Sequence, residues 1–261
     1  MKAGRIFEYR RSRFVSGYVL FQMWEPFRQL LIEGHQFYVD QARRRLLSQF
    51  DDIESEADKA AADWLERNSH RFDPDRYDPG AFCEAAQEEG IAHYQLLNDM
   101  RDNTRLSVVA GMFHEWDKQL RDWMTREILH WHSGADVRAK IWSQNFGSLA
   151  DLLACLGWDI RSRPYYRTLD ACRLVVNVYK HGEGGSFQDL KRCYPEYIDN
   201  PLKGFDDPLD MDFRDHRDLK VTEEQIQGFS AAIVAFWNDV PPKIVDDPVG
   251  ELPEWFEKKL G

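Results

Sequence analysis

The 261-residue chain carries a formal charge of −11 and is 43% apolar, with 9 Trp and 16 Phe. That apolar fraction supports a packed core and excludes overall disorder. The acidic balance excludes broad attraction to nucleic acid or anionic membrane, so any nucleic-acid contact has to come from a local basic patch. The length suits one large domain, and a single domain over 1–261 is expected. The four cysteines (Cys83, Cys155, Cys172, Cys193) are widely spaced and form no CxxC pair. They give neither a disulfide framework nor a zinc site, and no metal or cofactor is expected. The basic N-terminus lacks the apolar run of a signal peptide, and no apolar stretch is long enough to span a bilayer. A cytoplasmic location is the expectation.

In chain order, residues 1–24 are basic and then aromatic: Arg10, Arg11 and Arg13 precede Phe14, Tyr18, Phe21 and Trp24. The aromatics are expected to pack on the body of the domain. Glu25-Pro26 marks a helix start, with an acid at the positive end of the dipole and Pro in the first turn. Apolar residues then recur at helical spacing from Phe27 to Leu65, for about ten turns. This predicts one long helix, or two with a bend at Gly34. The Asp-Pro pairs of 67–80 are loop chemistry. Periodicity resumes at Ala81 and runs to His132. Its wide stripe of Val109, Phe113, Trp116, Leu120, Trp123, Met124 and Ile128 calls for the first long helix as an antiparallel partner.

A third helix is predicted over 137–156, with Asp136 as its N-cap and Gly157 as its end. A fourth follows Pro164 and ends at Gly182. The run Gly182-Glu183-Gly184-Gly185 is read as a C-cap and flexible turn that opens no further helix. Residues 182–221 are expected as an irregular, acidic insertion. Its charge contrasts with what precedes it: residues 160–192 give 7 − 3 = +4, and residues 193–218 give 3 − 8 = −5. Arg161, Arg163 and Arg167 lie in the basic part and are the candidate RNA-binding residues. Leu219–Thr222 reads as extended. Thr222-Glu-Glu-Gln225 is a capping box that starts the last long helix, which Pro241-Pro242 ends. The tail from 241 to 261 is expected to dock through Trp255 and Phe256. Together these elements predict an all-α helical bundle with two long antiparallel helices, two shorter ones, the acidic insertion and a C-terminal helix.

The chemistry concentrates in the fourth helix. Arg173, Asn177 and His181 recur at four-residue spacing and share one face, with Asp170 a turn earlier. Leu169, Cys172, Val176 and Tyr179 are predicted to face the core. A purely structural reading also fits: Arg173 pairs with Asp170, while Lys180 and His181 complement the negative end of the helix dipole.

The segment Val176–Gly182, VNVYKHG, resembles the RNxxxH motif of HEPN-domain proteins, with Asn177 and His181 in register and Val176 at the motif's Arg position. The resemblance implies an all-α RNase, or an RNase-derived protein, of a bacterial defence or toxin system. It implies metal-independent transesterification through the RNA 2′-OH. His181 would transfer protons, Asn177 would orient the ribose or phosphate, and Arg173 and Lys180 would supply the positive charge that Val176 cannot. It further implies a homodimer and a cognate antitoxin or other defence-system partner. The alternative is a non-catalytic helical module that binds a protein or RNA through the basic ridge and the acidic loop.

Overall fold

A computed structural model describes residues 17–73, 78–132, 136–199, 213–245 and 251–257. Arg10, Arg11, Arg13 and Phe14, and the acids at 206–212, lie outside the described residues. The architecture is an all-α helical bundle. In chain order the described elements are β1 (Val19–Gln22), α1 (Glu25–Arg45), α2 (Ile53–Asn68), α3 (Pro79–Leu129), α4 (Val137–Ser143), α5 (Phe146–Cys155), α6 (Tyr166–His181), α7 (Gly185–Cys193), α8 (Glu223–Asp239), β2 (Lys243–Val245) and α9 (Glu254–Glu257). The chain falls into two compact units. One comprises Met1–Phe37, Gly111–Leu174 and Gln227–Gly261, the other Tyr38–Ala110 and Val175–Ile226.

The first unit is built on aromatic packing. Trp116, Trp123, Trp158, Trp237 and Phe236 are all buried. Trp116 meets Phe236 edge-on at 5.2 Å, and Trp123 meets Trp237 at 6.4 Å. Each such Trp removes on the order of 200 Å² from water, an upper bound of about 5 kcal/mol. β1 pairs antiparallel with β2, adding a small ribbon that the sequence reading lacks. This ribbon holds Phe21 against Trp123 at 5.3 Å. Trp24, expected to pack inward, is exposed.

Three buried cations in this unit close the carbonyl ends of helices, where four C=O groups lack intrahelical donors. Arg28 donates to the carbonyls of Trp237, Asn238 and Val240. Arg121 binds Asp117 and donates to the carbonyls of Ile141 and Gln144, each at 2.8 Å. Lys140 donates to the carbonyl of Phe256 at 2.7 Å and so pins α9. Asp239 accepts from Trp158 Nε1, Tyr165 Oη and Arg163. Burial and this carboxylate push the Tyr165 hydroxyl's pKa up. His35 is buried against Ser230, its Nε2 lying 2.9 Å from the hydroxyl, and burial lowers its pKa to about 4.

In the second unit, α2 runs antiparallel to α3. Trp64 lies against Phe82, with ring centroids 5.1 Å apart. Further along, a Cβ added at Gly90 would sit 3.1 Å from the Ala57 carbonyl oxygen, so the two helices approach backbone to backbone there. The first long helix runs straight through Gly34. It breaks instead at a 3₁₀ turn, Leu47–Phe50, where Asp51-Asp52 follow. The stretch predicted as one helix over 137–156 is two. Asn145 accepts from the Ser148 N–H at 2.9 Å and so starts α5 afresh. Asp136 occupies the N-cap position of α4 without a side-chain cap, and it pairs with Lys140 at 3.3 Å. The Thr222–Gln225 capping box forms in both directions.

Candidate functional site

α6 forms because Leu169, Cys172, Val175, Val176 and Val178 place a buried apolar face at helical spacing. Leu169 and Cys172 belong to the first unit, with Asp170 and Arg173; Val175–His181 belong to the second. In the first unit, Arg173 donates to Asp170 through Nε at 3.0 Å and Nη2 at 2.7 Å. Arg161 pairs with Asp151 at 2.9 Å and donates to the Gly147 carbonyl. Arg163 pairs with Asp239 at 3.2 Å. Arg167 is exposed on α6. Two of the four net positive charges of this stretch are thus matched by carboxylates from outside it, Asp151 and Asp239. Three of the four candidate arginines are structural partners first.

In the second unit, the end of α6 leaves the core. Val176 is 1% exposed, so the motif's Arg position is interior. Asn177 is half-buried, and its Nδ2 donates to Ser186 Oγ at 3.4 Å, tying α6 to the start of α7. Lys180 and His181 are exposed. Tyr179, predicted to face the core, is 39% exposed, because the last turn has already passed the packed layer. Its hydroxyl lies 2.7 Å from Ser107 Oγ of α3. Gly182 closes the helix with φ of 69° and donates its N–H to the Val178 carbonyl at 2.8 Å. Any other residue there would hold a strained left-handed backbone.

Beyond Gly182 the structure corrects the reading of an irregular insertion. The Gly182–Gly185 run does precede a helix. α7 starts at Gly185, and Phe187 and Leu190 bury its apolar face. Ile198 then bridges Leu219 in antiparallel register, which brings the strap 213–220 back beside the end of α6. On that strap, Asp215 and Asp218 form a reciprocal capping box around the 3₁₀ turn His216–Asp218. The His216 N–H donates to Glu183 Oε1 at 2.8 Å, and Nδ1 of the same residue lies 3.1 Å from that oxygen. The His216 ring sits over Gly182: an added Cβ would lie 3.5 Å from its Cδ2 and 3.7 Å from its Nε2.

A cavity of about 480 Å³ opens here, lined by α3 (Asn98, Asp99, Asp102, Asn103, Leu106), α6 (Val178, Tyr179), Asp199 and the strap His216–Lys220. Lys220 spans it, 2.9 Å from Asp199 and 3.4 Å from Asp102. The Asp199 hydrogen bond raises the Lys220 pKa. Asp102 also faces Arg105 at 3.1 Å. The lining is therefore rich in hydrogen-bond acceptors, with an aromatic ring at one wall.

Among the described residues, metal-ligand atoms of three side chains converge at Glu183, Asp215 and His216. Several of these atoms are paired with neighbouring groups. Arg217 grips Asp215 through side chain and backbone and lowers that carboxyl's pKa to about 2, while Glu183 accepts from His216. These contacts make it an ion-paired turn.

Glu183 and His216 are the site residues that the sequence reading misses. The signal was the Asp215-His-Arg-Asp218 box, which resembles the start of a short helical turn. No protein-family model matches the sequence, and comparison with curated proteins and with solved structures finds no match. Among the described residues no helix is long and apolar enough to cross a membrane.

Proposed function

We propose that the protein is an HEPN-like, metal-independent RNA endonuclease acting in a bacterial defence or toxin system, with its site at the exposed end of α6. The observation that carries this reading is the exit of α6 from the core. Val176 and Val178 are buried, Lys180 and His181 emerge into solvent, and Tyr179 of the same turn lines a polar cavity. His181 serves in proton transfer, since imidazole is the side chain suited to it near neutral pH. Lys180 takes the electrostatic role that a neutral, buried Val176 cannot fill. Asn177 positions the turn through Ser186 as well as offering its amide. Arg173 supports the helix through Asp170 rather than reaching substrate. The resemblance extends the proposal to a homodimer and to a cognate antitoxin or defence-system partner.

The test is incubation of the purified protein with single-stranded RNA in EDTA, beside His181→Ala. Cleavage that survives EDTA and vanishes in the variant supports the reading. A second reading, a non-catalytic module, is favoured by one observation: Arg161, Arg163 and Arg173 are held in ion pairs, which leaves little free positive charge on the ridge. Absence of cleavage, with RNA or protein binding retained, decides for it.

A further inference from the structure

Cleavage by transesterification needs two proton transfers. One group takes the proton of the 2′-OH, and another gives a proton to the departing 5′-oxygen. His181 can serve only one of these at a time. The second unit holds another imidazole at the same end of α6. His216 rests on Gly182, the residue that directly follows His181: a Cβ added there would meet its ring in ordinary van der Waals contact at 3.5 Å. Its orientation is fixed twice by one carboxylate, since Glu183 Oε1 accepts from the His216 backbone N–H at 2.8 Å and lies 3.1 Å from Nδ1. Nε2 is left as the working nitrogen, and His216 lines the cavity. A carboxylate behind an imidazole fixes the tautomer and stabilises the imidazolium that forms when the ring accepts a proton.

We propose that His216 is the general base of the RNA-cleaving reaction, with Glu183 as its positioning residue and His181 as the general acid. This rests on the RNA-cleavage reading above and deepens it. In the step, Nε2 of His216 takes the 2′-OH proton and the 2′-oxygen bonds to phosphorus. The P–O5′ bond breaks, and protonated His181 delivers its proton to the 5′-oxygen. The products are a 2′,3′-cyclic phosphate and a 5′-hydroxyl. One proton is taken up and one released, and no electrons change hands. The cavity then receives the nucleoside on the 2′-OH side. Asp99, Asn98 and Asn103 accept from ribose hydroxyls and base amino groups, and the exposed Tyr179 ring gives a face for stacking. The charged groups around His216 are Glu183 on the turn, Asp215, Arg217 and Asp218 on its own strap, and Asp99, Asp102, Asp199 and Lys220 across the cavity.

The test compares wild type, His181→Ala, His216→Ala, His216→Gln and Glu183→Gln on two substrates, with folding checked by circular dichroism. One substrate is a ribo-oligonucleotide. The other is uridine 3′-(4-nitrophenyl phosphate), whose leaving group needs no proton. Both His216 variants should lose at least about 100-fold in kcat/KM on both substrates. His181→Ala should lose as much on the oligonucleotide but recover on the nitrophenyl ester. Glu183→Gln should lower kcat with KM unchanged. Wild-type cleavage that is undiminished in the His216 variants overturns this assignment and leaves the RNase reading standing. Recovery of His216→Ala rather than His181→Ala on the ester overturns the division of roles. No cleavage of either substrate by wild type overturns the RNase reading and this inference with it.

Discussion

Placing an arginine at Val176, where the HEPN motif that this segment resembles carries one, is expected to break the fold. Val176 is 1% exposed and lies between Val175 and the buried Leu174 on one side and Val178 on the other. An arginine there adds bulk to a packed layer, at about 1–3 kcal/mol. It also buries a guanidinium charge, at several kcal/mol more. The sum, on the order of 4–6 kcal/mol, is comparable with the whole stability of a typical domain, roughly 5–15 kcal/mol. Where the variant still folds, its Tm should fall by about 10 °C or more, at roughly 2–4 °C per kcal/mol for a chain of this size. Val176→Ala, which only removes buried methyls, should cost about 2 kcal/mol. Differential scanning fluorimetry and urea unfolding measure both. A Val176→Arg protein with wild-type Tm, or one that is folded and cleaves RNA faster, refutes the placement of this position in the core.

Arg28→Met leaves the carbonyls of Trp237, Asn238 and Val240 without their donor, and should destabilise by about 3 kcal/mol in urea unfolding. His35 has a folded-state pKa of about 4, below the ordinary imidazole value of 6.5. Between those two pH values the unfolded chain binds a proton that the folded chain does not. Stability should therefore be full above pH 6.5, fall as pH drops towards 4, and flatten below it, by about 3 kcal/mol in all. His35→Gln should remove that component from the pH dependence of urea midpoints. Lys180→Ala removes an exposed side chain, so it should leave Tm within about 1 °C while lowering kcat for RNA about 100-fold.

Much of the fold was legible because apolar periodicity is local. α1, α3, α6 and α8 announce themselves through stripes such as Phe113, Trp116, Leu120, Trp123 and Met124. The Thr222 box and Gly182 announce their ends. Breaks that keep the stripe in phase were not legible. Trp142 and Phe146 stay four residues apart across the new start at Asn145, so two helices read as one. Charge was the weakest guide: summed along the chain, Arg161, Arg163 and Arg173 read as a basic ridge. The partners of Arg161 and Arg163, Asp151 and Asp239, come from other segments, and only the fold brings them together. His216 was hidden for the same reason. It lies 33 residues from Glu183, in a segment that composition marked as irregular.

The central claim is that the exposed end of α6 cleaves RNA through the ribose 2′-OH. The most direct measurement uses an oligonucleotide that is DNA except for one ribonucleotide, incubated in EDTA with wild type and with His181→Ala. Wild type should make one cut, directly 3′ to the ribonucleotide, leaving a 2′,3′-cyclic phosphate identified by mass, and the variant none. An intact substrate, cuts at deoxynucleotides, or equal cutting by His181→Ala would contradict it.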